Sequence, residues 1–183
     1  QDAVLPILNG DGAAIVAAAA KTLFEAADTA ADDTAMMLAI RQLRQRSALA
    51  AALADLADKA DVGTQMNWLS TAADAAIAAV VRYLFRQAAA RGLVRADCTG
   101  QHGCGWSILA LGKLGAGELN YSSDVDLIIL HDPGNNALTK PETSQTFFVD
   151  LTRRLVSLLS TATRDGIGWR VDLRLRPDPG ATA

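Results

Sequence analysis

The sequence predicts an α+β fold, with a helical N-terminal region packed on a small sheet. Three observations lead there. Residues 11–91 carry alanine-rich stretches whose apolar positions recur every three to four residues, the period of a helix with one buried face. Residues 107–131 then change character, as short apolar runs flank a glycine-rich turn and an Asp-x-Asp pair. Residues 169–174 alternate apolar and polar side chains, the period of a strand. The chain has 183 residues, 50% of them apolar, which is ample for a core. It fits one compact unit, with a helical region at 1–92 and a second region at 93–183.

Residues 1–10, with Pro6, Asn9 and Gly10, read as a loop or linker. The first helix is expected over 11–27, with Asp11 placed to cap it and alanine runs supplying propensity. Residues 30–34 break it. The second helix spans about 33–58, with Met37, Ile40, Leu43 and Ser47 as one buried stripe. Arg41, Arg44 and Arg46 fall mostly on other faces and read as a solvated face or a contact for an acidic partner. The third helix spans about 64–91, with an apolar face through Leu69, Ala73, Ala76, Ile77, Val80, Val81, Leu84 and Ala88. Gly92 is placed to close it. Small alanine side chains let helices pack closely, but a high-GC genome gives the same bias, so the excess carries no functional weight.

Residues 93–105 are polar and glycine-rich and connect the two regions. His102 reads as a loop residue there. Cys98 and Cys104 match no zinc spacing and read as free thiols in a reducing compartment. Strands are expected from Ile108 to Leu111 and over 124–130, followed by a turn at 131–136. A helix begins at Thr143 or Ser144 and runs to 161, burying Phe147, Phe148, Leu151, Leu155, Leu158 and Leu159. After a tight turn at 163–168, the strand 169–174 puts Arg170, Asp172 and Arg174 on one face and Trp169, Val171 and Leu173 on the other. Residues 178–180 form a loop.

The chemistry concentrates around Asp124-Val125-Asp126. On a strand, both carboxylates project from one face, while Val125 and Leu127 point into the core. Adjacent like charges are costly unless a cation lies between them. Hard oxygen ligands select Mg²⁺ or Mn²⁺, and the commonest use of such a site is phosphoryl or nucleotidyl transfer. The three-residue pattern alone also fits a solvated strand end. Its context favours chemistry. The turn from Gly112 and Lys113 through Gly115 to Gly117 lets backbone approach a phosphate, and Ser122 and Ser123 set hydroxyl donors beside the Asp pair. The turn is not a P-loop, which needs a glycine five residues before Gly112 and a Ser or Thr after Lys113. Its glycines read GxxGxG, which is not the dinucleotide fingerprint. Arg170, Arg174 and Arg176 flank Asp172; a surface salt-bridge ladder is the other reading of these three.

The stretch GKLGAGELNYSSDVDLIIL resembles the signature of the bifunctional glutamine synthetase adenylyltransferase/adenylyl-removing family, within the DNA polymerase β-type nucleotidyltransferase superfamily. A second block, from Trp169 to Pro177, is similar to the same family. The resemblance is specific over 107–179 and fainter over 35–91. It implies a polymerase-β-like core with a mixed sheet and two-metal chemistry. Asp124 and Asp126 would hold Mg²⁺ or Mn²⁺ on the nucleotide phosphates. Asp172, the third carboxylate, would bind the ion that activates the nucleophile or act as its base. Gly112 and Lys113 fall where the superfamily has a glycine and a hydroxyl on the terminal phosphates, with Lys113 replacing the hydroxyl. Ser122 and Ser123 would donate to those phosphates, and Arg170, Arg174 and Arg176 are further phosphate-binding candidates.

The family joins two catalytic copies in one chain. One transfers AMP from ATP to a tyrosine of glutamine synthetase, and the other removes it by phosphorolysis, giving ADP. The Asn-Tyr-Ser-Ser-Asp run and Arg170 resemble the N-terminal, adenylyl-removing copy. The adenylylating copy tends to have Gly or Asn before its Ser-Asp and an acidic residue where Arg170 stands. The resemblance therefore implies removal of AMP from adenylylated glutamine synthetase in nitrogen regulation. The adenylylating copy, another transferase such as a uridylyltransferase, and a non-catalytic docking module stay open as alternatives. Glutamine synthetase and the P-II signalling trimer are the implied partners, and a cytoplasmic location is expected. A net charge of −3 does not advertise a nucleic-acid partner. No apolar run reads as long enough to span a bilayer, and no secretory signal is seen. The absent initiator Met is expected of a piece of a longer chain.

Overall fold

The computed structural model describes residues 7, 11–100, 104–132, 134 and 136–173. Three long helices come first: α1 at Gly12–Thr29, α2 at Asp33–Leu56 and α3 at Val62–Ala90. Each packs on the other two. Strand β1 (Trp106–Leu111), a one-turn helix α4 (Gly112–Gly115) and strand β2 (Val125–His131) follow. A 3-10 turn at Pro141–Thr143 leads into α5 (Ser144–Ser160), and β3 (Val171–Asp172) comes last. The sheet order is β1-β2-β3, with β1 antiparallel and β3 parallel to β2. The α+β expectation with a small mixed sheet is met.

Local signals explain three of the helix ends. The Asp32 carboxylate accepts from the Ala35 amide at 2.9 Å, a cap worth about 1 kcal/mol. Asp61 does the same for the Thr64 amide at 2.7 Å and opens α3. Gly92, at φ +67°, closes α3 in the left-handed region that favours glycine. Its amide reaches the Ala89 carbonyl and the Leu93 amide reaches Ala88, both at 2.9 Å, which is a Schellman closure. Asp11 departs from expectation: it precedes α1, but its side chain makes no capping bond.

The core corrects several readings. Ile7, assigned by sequence to a loop, is fully buried with helical backbone. Met36, not Met37, belongs to the buried stripe of α2. Helix α3 is long and apolar enough to cross a membrane, contrary to the expectation that no run is. Two-thirds (67%) of its most apolar window is buried inside the protein, because α1, α2 and α5 all pack on it. The largest correction concerns Arg41 and Arg44. Arg41 is only 1% exposed, and Arg44 is half-buried; only Arg46 of the three is solvated.

A polar knot ties the helical layer to α5. The Tyr83 hydroxyl donates to Asp33 at 2.8 Å, and Arg154 donates to the same carboxylate at 2.9 Å and to Gln87 at 2.6 Å. Burial, then the Asp33 bond, pushes the Tyr83 hydroxyl up to about 12. Cys98 and Cys104 are free and buried, as expected, and burial first of all raises the Cys98 thiol to about 11. His102, Arg174, Arg176 and residues 178–180 lie outside the described residues.

Candidate active site

Strand β2 places the first carboxylates. Val125 is fully buried and Leu127 is 1% exposed, so the alternating Asp126 faces away from that core. Asp124 lies one residue before the strand and is exposed. The parallel pairing sets Val125 beside Val171 and Asp126 beside Asp172. Register partners on neighbouring strands share a face, about 4.8 Å apart along the hydrogen-bonding direction. The sequence left the meeting of Asp126 and Asp172 as an inference; the register brings them side by side.

β3 is shorter than the strand expected over 169–174. The Trp169 amide bonds to the Leu159 carbonyl at 3.0 Å, and the Trp169 carbonyl accepts from the Ser160 hydroxyl at 2.9 Å. Those groups are therefore taken by the end of α5 and are lost to the ladder. One bond, from the Val125 amide to the Arg170 carbonyl at 2.9 Å, starts the pairing.

On the other side of Asp126 stands α4. Gly112 follows β1 directly, at φ +55°, and a Cβ built there would collide with the Asp126 carboxylate. Glycine is thus required twice, for the backbone angle and for the close approach. Gly112→Ala is expected to displace Asp126 and lower kcat about 100-fold, while destabilising the fold by about 1–2 kcal/mol. Steady-state kinetics and a thermal melt check both; a variant with unchanged kcat would remove Gly112 from the site. Lys113, next to it, is exposed and makes no ion pair among the described residues.

The loop before Asp124 is organised by Asn120, which sequence reasoning did not single out. Its side-chain oxygen accepts from the Ser123 hydroxyl at 2.7 Å and from the Ser122 amide at 3.2 Å. The Ser123 hydroxyl is therefore turned onto Asn120, while Ser122 is exposed. The Leu119 amide donates to the buried Ser70 hydroxyl of α3 at 2.9 Å, which pins the loop to the helical layer.

Arg170 completes the cluster. Its Nε makes a close ion pair with Asp124, and its Nη2 donates to the Ser122 carbonyl at 2.9 Å. The side chain keeps 64% of its exposure, so the pair is worth at most about 1 kcal/mol. This pairing engages Asp124, one of the carboxylates expected to hold a cation. Among the described residues, no three His, Cys, Asp or Glu side chains form a group able to hold a metal. The donor chemistry still fits a hard divalent cation: Asp126 and Asp172 stand in register, and Asp124 is paired with an exposed arginine.

The helical layer reaches this site through Arg41 and Arg44. Arg41 donates to the carbonyls of Met37 at 3.0 Å, Leu158 at 2.9 Å and Gly166 at 3.2 Å, and closely to Thr161. Arg44 donates to Tyr121 at 3.0 Å and Ile167 at 3.2 Å, closely to Gly168, and lies over the Trp169 ring. One signal was available: both follow a buried stripe position by one residue, so they line the edge of the packed face.

A family model for glutamate-ammonia ligase adenylyltransferase matches residues 8–183. The chain is 43% identical over 155 residues to a bifunctional glutamine synthetase adenylyltransferase/adenylyl-removing enzyme of Bradyrhizobium sp. (strain BTAi1), covering 84% of this chain and 16% of that protein. A protein of the same description from Rhodopseudomonas palustris (strain BisB5) is 38% identical over 182 residues, 98% of this chain and 18% of that one. A third, from Rhizobium meliloti (strain 1021), is 39% identical over 160 residues, 86% of this chain and 16% of its own length. The chain therefore spans about one-sixth of the length of these curated relatives. With the match running through both the helical layer and the carboxylate-bearing strands, this chain belongs to the glutamate-ammonia ligase adenylyltransferase family.

Proposed function

We propose that the carboxylate face of this chain removes AMP from adenylylated glutamine synthetase by phosphorolysis. An oxygen of inorganic phosphate attacks the AMP phosphorus, the bond to the tyrosine oxygen breaks, and that oxygen leaves to take up a proton. ADP and unmodified tyrosine result, so atoms and charge balance. A divalent cation, Mg²⁺ or Mn²⁺, held by Asp126, Asp172 and Asp124, supplies charge neutralisation on the phosphates when bound. The chain's own cations do the rest: Arg170, paired with Asp124, and Lys113, exposed and next in sequence to Gly112, hold anionic oxygens in place.

The observation that carries this reading is Arg170. It is an exposed guanidinium set against the acidic cluster, where a second anionic substrate needs a counter-charge. An enzyme that used ATP alone would bring its phosphates already joined to the nucleotide. Glutamine synthetase is the partner this reading requires, with P-II as a regulatory partner and the cytoplasm as the location.

Adenylylated glutamine synthetase, Mg²⁺ or Mn²⁺ and this protein, with and without inorganic phosphate, test it. ADP release that depends on phosphate and disappears in Asp124→Asn is the expected result. Transfer of AMP from ATP onto unmodified glutamine synthetase, with no ADP release, would make this the adenylylating copy instead. Silence in both assays would leave a docking module.

A further inference from the structure

The described β2–β3 junction is short. Among the described residues, the ladder spans Val125 with Val171 and Asp126 with Asp172, and the bond from the Val125 amide to the Arg170 carbonyl opens it. Two loops enter it, each at the N-terminal end of its strand, because the pairing is parallel. One runs through Tyr121 to Ser122, Ser123 and Asp124; the other runs through Gly168 to Arg170 and Asp172. A ladder of this length leaves their spacing to contacts outside the sheet.

Arg44 makes those contacts. From α2, one planar guanidinium donates to the Tyr121 carbonyl on the first loop at 3.0 Å. It donates to the second loop at the Ile167 carbonyl, 3.2 Å away, and closely at Gly168. Its carbon sits 5.8 Å from the centre of the Trp169 ring, within cation–π range. It has no carboxylate partner among the described residues, and burial first, then the Arg170 charge, lowers its pKa from the ordinary arginine value. A desolvated cation without a counter-charge is costly. A fork that spans two carbonyl-lined loops is a geometry lysine lacks.

We propose that Arg44 is a positioning residue for the reaction: it fixes the distance between the two loops, one carrying Asp124 and the other carrying Arg170 and Asp172. This rests on the carboxylate reading above. It differs from the role of Arg41, whose acceptors flank the turn from Leu158 to Gly166 and never reach the Tyr121 loop. A control exists within the same fold. Arg86 donates to the carbonyls of Ala27 at 2.9 Å and Ala30 at 2.8 Å and lies over the Tyr83 ring, the same kind of anchor among the helices and remote from the carboxylates.

Arg44→Gln, Arg44→Lys and Arg86→Gln are compared with wild type by kcat and KM for phosphate-dependent ADP release, by thermal melting, and by hydrogen exchange at the Val125 amide. Arg44→Gln is expected to lower kcat about 100-fold, with KM for adenylylated glutamine synthetase within about twofold. Exchange at Val125 should quicken about tenfold or more, while amides of α1 and α3 keep their rates. Arg44→Lys should stay at least about tenfold below wild type, because its ammonium cannot fork. Arg86→Gln should lower the melting temperature and leave kcat unchanged. A kcat for Arg44→Gln within threefold of wild type, an unchanged Val125 exchange rate, or full rescue by lysine would each overturn the proposal. Asp126→Asn separates the two claims. If that variant stays active while Arg44→Gln loses Val125 protection, the carboxylate reading fails and the structural bridge stands. If it is dead while Arg44→Gln is active, the reading stands and Arg44 falls.

Discussion

Asp126→Asn is expected to lower kcat about a thousandfold, close to 4 kcal/mol of transition-state stabilisation. Asp126 sits between both neighbouring strands: it pairs in register with Leu111 on β1 and Asp172 on β3, and Gly112 packs against it. Asparagine keeps its shape and removes the charge. The fold should not suffer, because the change also relieves repulsion between Asp126 and Asp172. An unchanged or slightly raised melting temperature with near-absent turnover is the signature expected. Turnover within tenfold of wild type would mean that the chemistry lies elsewhere.

Arg41→Leu should destabilise the protein by about 3 kcal/mol, the cost of leaving several interior carbonyls without a donor. At this chain length that corresponds to a fall of about 6–12 °C in melting temperature. Arg41 is fully enclosed and donates to carbonyls at Leu158, Thr161 and Gly166, so it joins α2 to both ends of the turn that precedes β3. Arg46→Leu, on the solvated side of the same helix, should stay within about 0.5 kcal/mol of wild type. Equal melting temperatures for the two variants would show that the carbonyl anchors carry no stability.

These two variants divide along what the sequence made legible. Asp126 was readable because its chemistry is local: two carboxylates in an i, i+2 pattern ahead of an apolar run need only the strand period to share a face. The same holds for the caps at Asp32 and Asp61 and for the closure at Gly92, where a side chain or a φ angle acts within a few residues. Arg41 and Arg44 were misread because their partners lie more than 75 residues away, at Tyr121 and in the 158–168 turn. A helical wheel puts both at the edge of the packed face, but it does not show the ring of carbonyls that they meet there. Asn120 was passed over for a related reason: a loop asparagine shows its value only when the hydroxyl and amide it receives are in place.

The sequence by itself determined the helix-then-sheet order, the buried stripes and the family, because periodicity and contiguous motifs survive without coordinates. Tertiary structure decided the rest. It set Asp126 beside Asp172 through a parallel register between segments some 45 residues apart, and it engaged Asp124 with Arg170. It also shortened β3 by giving its first backbone groups to α5. Each of these depends on which hydrogen-bonding groups meet across long loops. That is settled by the packing of the whole chain, where every enclosed donor and acceptor must find a partner.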